Sequence, residues 1–485
     1  MSLHYADLPV QAWRGYDTCM MNRIGIHQVA LLLLSLLAVA PRAIAFQGPG
    51  LVPGRSPPAE VRRILGDVSS TSAIGYVRKH VSFGTRNTFS DTKSQTRGIG
   101  AARRWIKREF ERIAAASGRS GDDAIRVYFD SYQLEAGGRR IPRDVEIVNI
   151  VFELPGSMAE ARQRRYYVIG HYDSIPSDDR DAPGANDDAS GTAVAMELAR
   201  VLSKHRFDST LVFMATAAEE QGLIGARKHA EKAKTEGWDI RAVLSNDIVG
   251  DPTSPAGPMY REQIRVLSEG VPAMASEQEL AGYRRFGTYS DSPSRQLARF
   301  VADVAAWERT AVRPMLIFRR DRFGRGGDHS AFNRSGFPAV RFCEVVEKYD
   351  HQHQVVRVEN GVQYGDLAEF VDADYLADIA RLNGAALIHL ANAPSSPTDL
   401  RVRGRTARTT LQWKPSPEPD MAGYEVVWRQ TTSPFWQHSK DVGKETDAAV
   451  DVSRDNHFFG VRAYDKDGYR SPVSFSDLSA RRRRL

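Results

Sequence analysis

Cysteine is nearly absent from this sequence: Cys19 and Cys343 are the only two among 485 residues. Neither sits in a zinc or redox spacing, so no disulfide framework and no Cys-x-x-Cys chemistry is available. Charge of one sign is also scarce, because 66 Lys and Arg face 60 Asp and Glu for a net charge of +6. With no P-loop, no Cys/His finger and no aromatic RNA-binding motif, no nucleic-acid partner is expected. A G-x-S-x-G elbow is missing too, and Asp328-His329-Ser330, being consecutive, cannot form a serine-hydrolase triad. Long apolar runs are lacking: the stretch Val29 to Ala40 has 12 residues, short of the roughly 20 a membrane-spanning helix needs. No permanent membrane span is therefore expected in the mature chain.

The composition is that of a folded protein with more than one core, at 42% hydrophobic, 26% charged and 9% aromatic residues, which excludes wholesale disorder and collagen-like repeats. The run Val29 to Ala40 follows Arg23 and His27 and precedes Ala43-Ile44-Ala45, the pattern of a secretory signal with its small-x-small cleavage site. Residues 1–45 are expected to be a targeting segment and the protein to be secreted or periplasmic. Asp7, Trp13 and Asp17 are foreign to a basic leader and point to a start at Met20 or Met21. Cleavage would leave Cys343 as the single thiol, expected to be buried and structural.

From residue 46 to 391, short β-type runs alternate with amphipathic helical stretches, an α/β signal. The strands expected are Val145 to Glu153, Arg165 to Ile169, Thr210 to Ala215, Val243 to Ile248, Met315 to Phe318 and Ala339 to Phe342. Helical spacing marks Gly98 to Ala115 and the segment after Ser190-Gly191, where Val194, Leu198, Val201 and Leu202 share one face. At Asn392 to Pro397 the composition breaks. Residues 392–485 then read as short alternating strands without a helix, ending in the basic tail Arg481 to Arg484, and resemble a fibronectin type III sandwich. That module carries no catalytic constellation; binding a surface or macromolecule, spacing and stabilising are its candidate roles. The basic clusters at Arg103 to Arg108 and Arg319 to Arg325 read first as solvated surface.

Chemistry-bearing residues gather where these strands end. Gly170-His171-Tyr172-Asp173-Ser174 closes one apolar run, the place where open α/β sheets hold ligands. A lone His-x-Asp is more often structural than functional. Pro183 to Gly191 is a turn-rich loop in which Asp188 or Ser190 can cap the following helix, leaving Asp187 unexplained. Leu211 to Ala218 ends in Glu219-Glu220, Val243 to Ile248 holds Asn246-Asp247, and Asp350-His351-Gln352-His353 follows the strand of Phe342. Together these supply His, Asp, Glu, Asp and His at successive strand ends, the ligand chemistry of a pair of divalent metals.

GHYDS, PGANDDASG, AAEEQG and ND, followed by DHSAFNRSGFPAVRF and a late His, resemble in this order the M28 family of co-catalytic zinc exopeptidases, over roughly Gly75 to Leu390. The resemblance implies a mixed sheet flanked by helices, with two Zn ions per catalytic domain. It implies that His171, Glu220, Asp247 and His353 are terminal ligands, that Asp187 bridges the metals and that Glu219 is the general base. Asp173 would orient the His171 ring. His351 competes with His353, since on an extended segment both would face one side. Where some members offer a Tyr before the Asp-His pair, this chain has Phe323-Gly324-Arg325, so Arg322 or Arg325 is the candidate to stabilise an oxyanion. Asn333-Arg334-Ser335 matches a glycosylation sequon.

The function expected is that of a secreted dizinc exopeptidase acting on peptide or protein termini, foremost an aminopeptidase. The alternatives are a carboxypeptidase whose basic run grips the terminal carboxylate, a glutaminyl-cyclase-like enzyme with one zinc, and a non-catalytic binding protein. The pocket walls are expected from loops such as 251–291.

Overall fold

Strand β3 (Arg164–His171) and strand β4 (Thr210–Thr216) show how this sequence folds, because nearly every side chain in them is buried. Side chains of a strand alternate between faces, and here both faces are covered. Val168, Leu211 and Phe213 join one hydrophobic core, while Tyr167, Ile169, Val212 and Met214 join a second on the opposite side. Continuous apolar runs are what a strand buried on both faces requires. The computed structural model describes residues 58–475, apart from 177–179, 256, 258, 405 and 406; the expected targeting segment and the Arg tail lie outside the described residues.

The other strands of the large sheet are β1 (Arg126–Leu134), β2 (Val145–Leu154), β5 (Asp239–Asn246), β6 (Gln263–Ser268), β7 (Arg313–Ile317) and β8 (Ala339–Cys343). Their order is β1-β2-β4-β3-β5-β8-β6-β7. Strands β4, β3, β5 and β8 run parallel, and antiparallel pairings of β2 with β4 and of β6 with β8 begin the two flanks. The fold is thus the expected mixed α/β sheet with helices on both faces. The helices Ser190–Leu202 and Ala373–Asn392 pack into the first core, and Ile224–Thr235 and His329–Ser335 into the second.

After β3 the chain passes to β4 on one side and then to β5 on the other. This reversal opens a crevice at the carboxyl ends of β3, β4 and β5, where ligands bind in open α/β sheets. Two glycines let the helix after Asp188 close on that crevice. A Cβ on Gly170 would lie 2.3 Å from the Gly191 carbonyl carbon, and one on Gly191 would lie 2.1 Å from the Asn246 oxygen.

Sequence expectations required adjustment at the periphery. Strands β1 and β6 were not expected, and β5 begins earlier and ends two residues before Ile248. Residues 251–291, expected as loops, contain β6 and the helix Glu277–Phe286. Cys343 is buried at the end of β8, as expected. Among the described residues no helix is long and apolar enough to cross a membrane.

Past a small hairpin of β9 (Arg357–Glu359) and β10 (Val362–Tyr364), the chain ends the helix Ala373–Asn392 and becomes all β. Strands β11 (Thr398–Arg403), β12 (Thr409–Lys414) and β15 (Asp447–Val450) form a three-stranded sheet. A four-stranded sheet combines β13 (Met421–Gln430), β14 (His438–Gly443), β16 (His457–Asp465) and β17 (Ser474–Phe475). Trp413 and Tyr424 meet at 5.5 Å in the core of this sandwich.

Buried ion pairs join the sandwich to the α/β part. Asp291 receives Arg429 of β13 at 2.7 Å and Arg299 of the helix Pro293–Glu308 at 3.2 Å, with all three side chains at most 1% exposed. At the start of β3, Arg164 meets Glu418 at 2.7 Å. Removing one member of such a group strands a charge in low dielectric. Asp291→Ala is therefore expected to cost about 3 to 5 kcal/mol of stability. Urea denaturation tests this, and a loss below about 1 kcal/mol, the value of an exposed pair, would show that the group does not hold the sandwich in place.

Candidate metal centre

Asp187 lies at the middle of the crevice, with its two carboxylate oxygens facing opposite ways. Its Oδ1 is 3.1 Å from His171 Nε2, and its Oδ2 is 3.0 Å from His353 Nε2. His171 Nε2 is also 4.0 Å from Asp247 Oδ1, and His353 Nε2 is 3.3 Å from Glu220 Oε1. Beside a third group, His171–Glu219–Glu220, two ligand groups result, His171–Asp187–Asp247 and Asp187–Glu220–His353, each with its donor atoms within 4.8 Å of one another. They share Asp187. Glu220 Oε1 is buried with His353 as its charged neighbour and no well-aligned hydrogen bond, an acceptor of the kind a cation satisfies. Imidazole and carboxylate donors in groups of three fit zinc with a position left open.

Each ligand is placed by its local sequence. His171 ends β3; its backbone N–H donates to Asp188 Oδ2 at 2.9 Å, and its Nδ1 faces the Asp173 carbonyl at 3.2 Å and the Asp173 carboxylate at 3.5 Å. The ring is thereby turned so that Nε2 points into the crevice. Asp173 also accepts the backbone N–H groups of Glu219 and Glu220, at 3.2 and 3.3 Å. One carboxylate thus ties the ends of β3 and β4 together. Asp188 is the helix cap, accepting from Gly191 N–H at 2.8 Å. Ser190 instead donates to the Asn186 carbonyl at 2.7 Å.

Residues 350–353 form turns rather than an extended segment, so the two histidines diverge. His351 stacks on Phe370 with ring centroids 3.7 Å apart, whereas His353, at φ 57°, reaches Asp187 and Glu220. Gln352 donates to Asp187 Oδ2 at 2.9 Å.

The charges are strongly coupled. Burial works against a charge on His353, yet Asp187 and Glu220 hold its imidazole protonated up to about 11. Burial likewise opposes ionisation of Asp187, but His171 and His353 carry its pKa well below the usual range. Glu219 is driven well above that range by burial and by the nearby Asp247 and Glu220 carboxylates. It stands within ligand distance of His171 and Glu220, outside both groups that contain Asp187.

Several supporting residues gave no signal in the sequence. Asp366, 179 residues from Asp187 in the chain, accepts the Asp187 N–H at 2.7 Å and the Asn186 N–H at 2.8 Å. Arg341 is buried and bonds Asp247 Oδ1 at 2.8 Å. Arg86, also buried, donates to the carbonyls of Tyr172 at 2.7 Å, Gly184 at 2.9 Å and Pro183. These partners are remote in sequence and act on backbone groups or through charge, so no local motif announces them.

Geometry bears on three other expectations. His329 Nε2 bonds the Arg320 carbonyl at 2.7 Å and Ser330 donates to Gly327, so no triad forms. Asp328 receives the Thr216 hydroxyl beneath the crevice, as a supporting group. Arg322 is committed to Asp321 and Glu347, while Arg325 is exposed at the cleft. Asn333 is 1% exposed and its amide donates to Ser294, Phe337 and Ala339, which leaves no access for a glycan on the folded chain.

A model of peptidase family M28 matches residues 149–372. A protein of Pyrenophora tritici-repentis described as a probable zinc metalloprotease is 42% identical over 436 residues, covering 88% of this chain and 89% of its own. One of the same description from Leptosphaeria maculans is 42% identical over 426 residues, covering 87% of this chain and 97% of its own. Among solved structures, the LapA aminopeptidase of Legionella pneumophila aligns with 69% of this chain and 75% of its own, at 19% identity and a TM-score of 0.48. Fimbriiglobus ruber glutaminyl cyclase aligns with 70% and 98%, at 17% identity and a TM-score of 0.45. With the likeness to the two fungal proteins extending over most of each chain, and with both ligand groups inside the matched segment, the chain belongs to peptidase family M28.

Proposed function

We propose that this protein is a secreted, co-catalytic dizinc exopeptidase that removes residues from the amino terminus of peptides. The observation that carries the proposal is the division of Asp187 between two ligand groups, His171 with Asp247 and His353 with Glu220. The description of the fungal relatives as probable zinc metalloproteases supports zinc as the metal. Bound there, two zinc ions would acidify a water and polarise the scissile carbonyl.

The chain's own residues do the rest. Glu219, kept out of both groups built on Asp187, is free to take the proton of the attacking water and return it to the nitrogen that leaves as the C–N bond breaks. Asp173 keeps the His171 ring and the Glu219-Glu220 backbone in register. The cleft over these residues is about 460 Å³, the size of a site for a short chain end. The run Val29 to Ala40 before Ala43-Ile44-Ala45, read as a secretory signal, supports export. In the sandwich, sheets of three and four strands support the fibronectin type III assignment, and the buried ion pairs support a stabilising role.

Glu219→Gln is expected to retain two zinc ions per chain, counted by elemental analysis, while kcat falls by about 100- to 10,000-fold. Unchanged turnover with full metal would remove Glu219 from the mechanism, and one zinc per chain at saturation would favour the cyclase-like alternative. Asp366→Ala frees the backbone that aims Asp187 and is expected to weaken zinc binding by about 10- to 100-fold, measured by competition with a coloured chelator. Peptides offered with free, acetylated or amidated ends are expected to shorten from free amino termini only. Shortening of acetylated peptides from the carboxyl end would establish a carboxypeptidase.

A further inference from the structure

The cleft above the ligand groups is bordered by arginines that the catalytic reading does not use. Arg140, Arg325 and Arg334 line it together with Glu219 and His353. They come from separate places: the turn between β1 and β2, the segment before the helix His329–Ser335, and the last turn of that helix. All three side chains are exposed, and among the described residues none forms an ion pair. Arg140 lies over Gly222, its Nη1 2.9 Å from where a Cβ would stand, and Arg325 lies 5.8 Å above the Tyr349 ring. Arg322, the fourth arginine of the cleft, is already bound to Asp321 and Glu347.

The acids of the cleft do not balance these charges. Asp187, Glu220 and Asp247 belong to the ligand groups, Glu219 is packed against His171 and Glu220, and Arg341 is the partner of Asp247. A single exposed arginine calls for no ligand. Three that come from different elements to line one cleft leave a basic rim beside the ligand groups. Such a rim fits a carboxylate, which guanidinium groups bind through paired, charge-assisted hydrogen bonds.

We propose that the cleft selects peptides carrying a carboxylate within a residue or two of the scissile bond, bound at the rim formed by Arg140, Arg325 and Arg334. The carboxylate has two sources, an acidic side chain or the free carboxyl terminus of a very short peptide. The inference rests on the exopeptidase reading only for which bond is cut, because the preference itself is a matter of binding.

Four matched peptides test it: Leu-Leu-amide, Glu-Leu-amide, Leu-Glu-amide and Leu-Leu with a free carboxyl end. Their binding to the zinc-loaded Glu219→Gln protein is measured by calorimetry, and their kcat/KM with the wild-type enzyme. At least one carboxylate peptide is expected to bind about 10-fold more tightly than the neutral amide, and which one identifies the source. The advantage is expected to shrink as ionic strength rises from about 0.05 to about 0.5 M. In the R140Q/R325Q/R334Q variant the ratio of charged to neutral affinity should fall toward one. Equal binding of all four peptides, or a preference that survives the triple variant, overturns the inference. Peptides bound with the expected preference but never cut by the wild-type enzyme would leave the rim standing and refute the exopeptidase reading instead.

Discussion

A carboxylate can serve two cations only if each oxygen is aimed separately, and the fold around Asp187 meets that requirement with rigid backbone. The Asp187 amide is held by Asp366, and the neighbouring Asn186 side chain is fixed between the Gly250 N–H and Glu344. Arg86 draws the preceding loop inward through three carbonyls, and Asp188 anchors both the helix and the end of β3. The metal ligands themselves are a small part of this arrangement. Asp366, Asn186, Arg86 and Asp188 fix the backbone on either side of one side chain.

The concentration of charge explains why the centre lies at strand ends. Gathering three carboxylates and two imidazoles in a dry interior is unfavourable unless they pair with one another or with a metal. His171 ends β3 and Glu220 and Asp247 follow the ends of β4 and β5, strands that are largely buried, while Asp187 and His353 are brought in by the loop before the helix Ser190–Leu202 and by the turn at 350–353. Arg341, on β8, reaches Asp247 from the far side. The sheet supplies the precision, and the acids supply the affinity.

This separation also governs how much of the protein was legible in its sequence. Strands β3 and β4 declared themselves as apolar runs because both faces are covered. Strand β1 did not, since at the sheet edge its side chains are mostly exposed or half-buried. His171, Glu219, Glu220 and Asp247 stand where apolar runs end, a pattern open to reading, whereas Asp187 sits in a turn-rich loop and its sharing between two metals came from family resemblance rather than from spacing. The choice between His351 and His353 needed the turn at 350–353, which alternation along an extended strand misrepresents. Asp366, Arg341 and Arg86 were silent because their partners lie far away in the chain.

The junction between the sandwich and the α/β part bears on how such a protein can be rearranged. β-Sandwiches on flexible linkers can be exchanged like beads on a string. Here Arg429 completes a buried group with Asp291 and Arg299, and Glu418 completes another with Arg164. A foreign sandwich grafted at residue 394 would have to bring a guanidinium and a carboxylate to those two points, or leave opposite charges stranded in the host. The sandwich is in that sense a fitted part, constrained to change together with the domain that carries the chemistry.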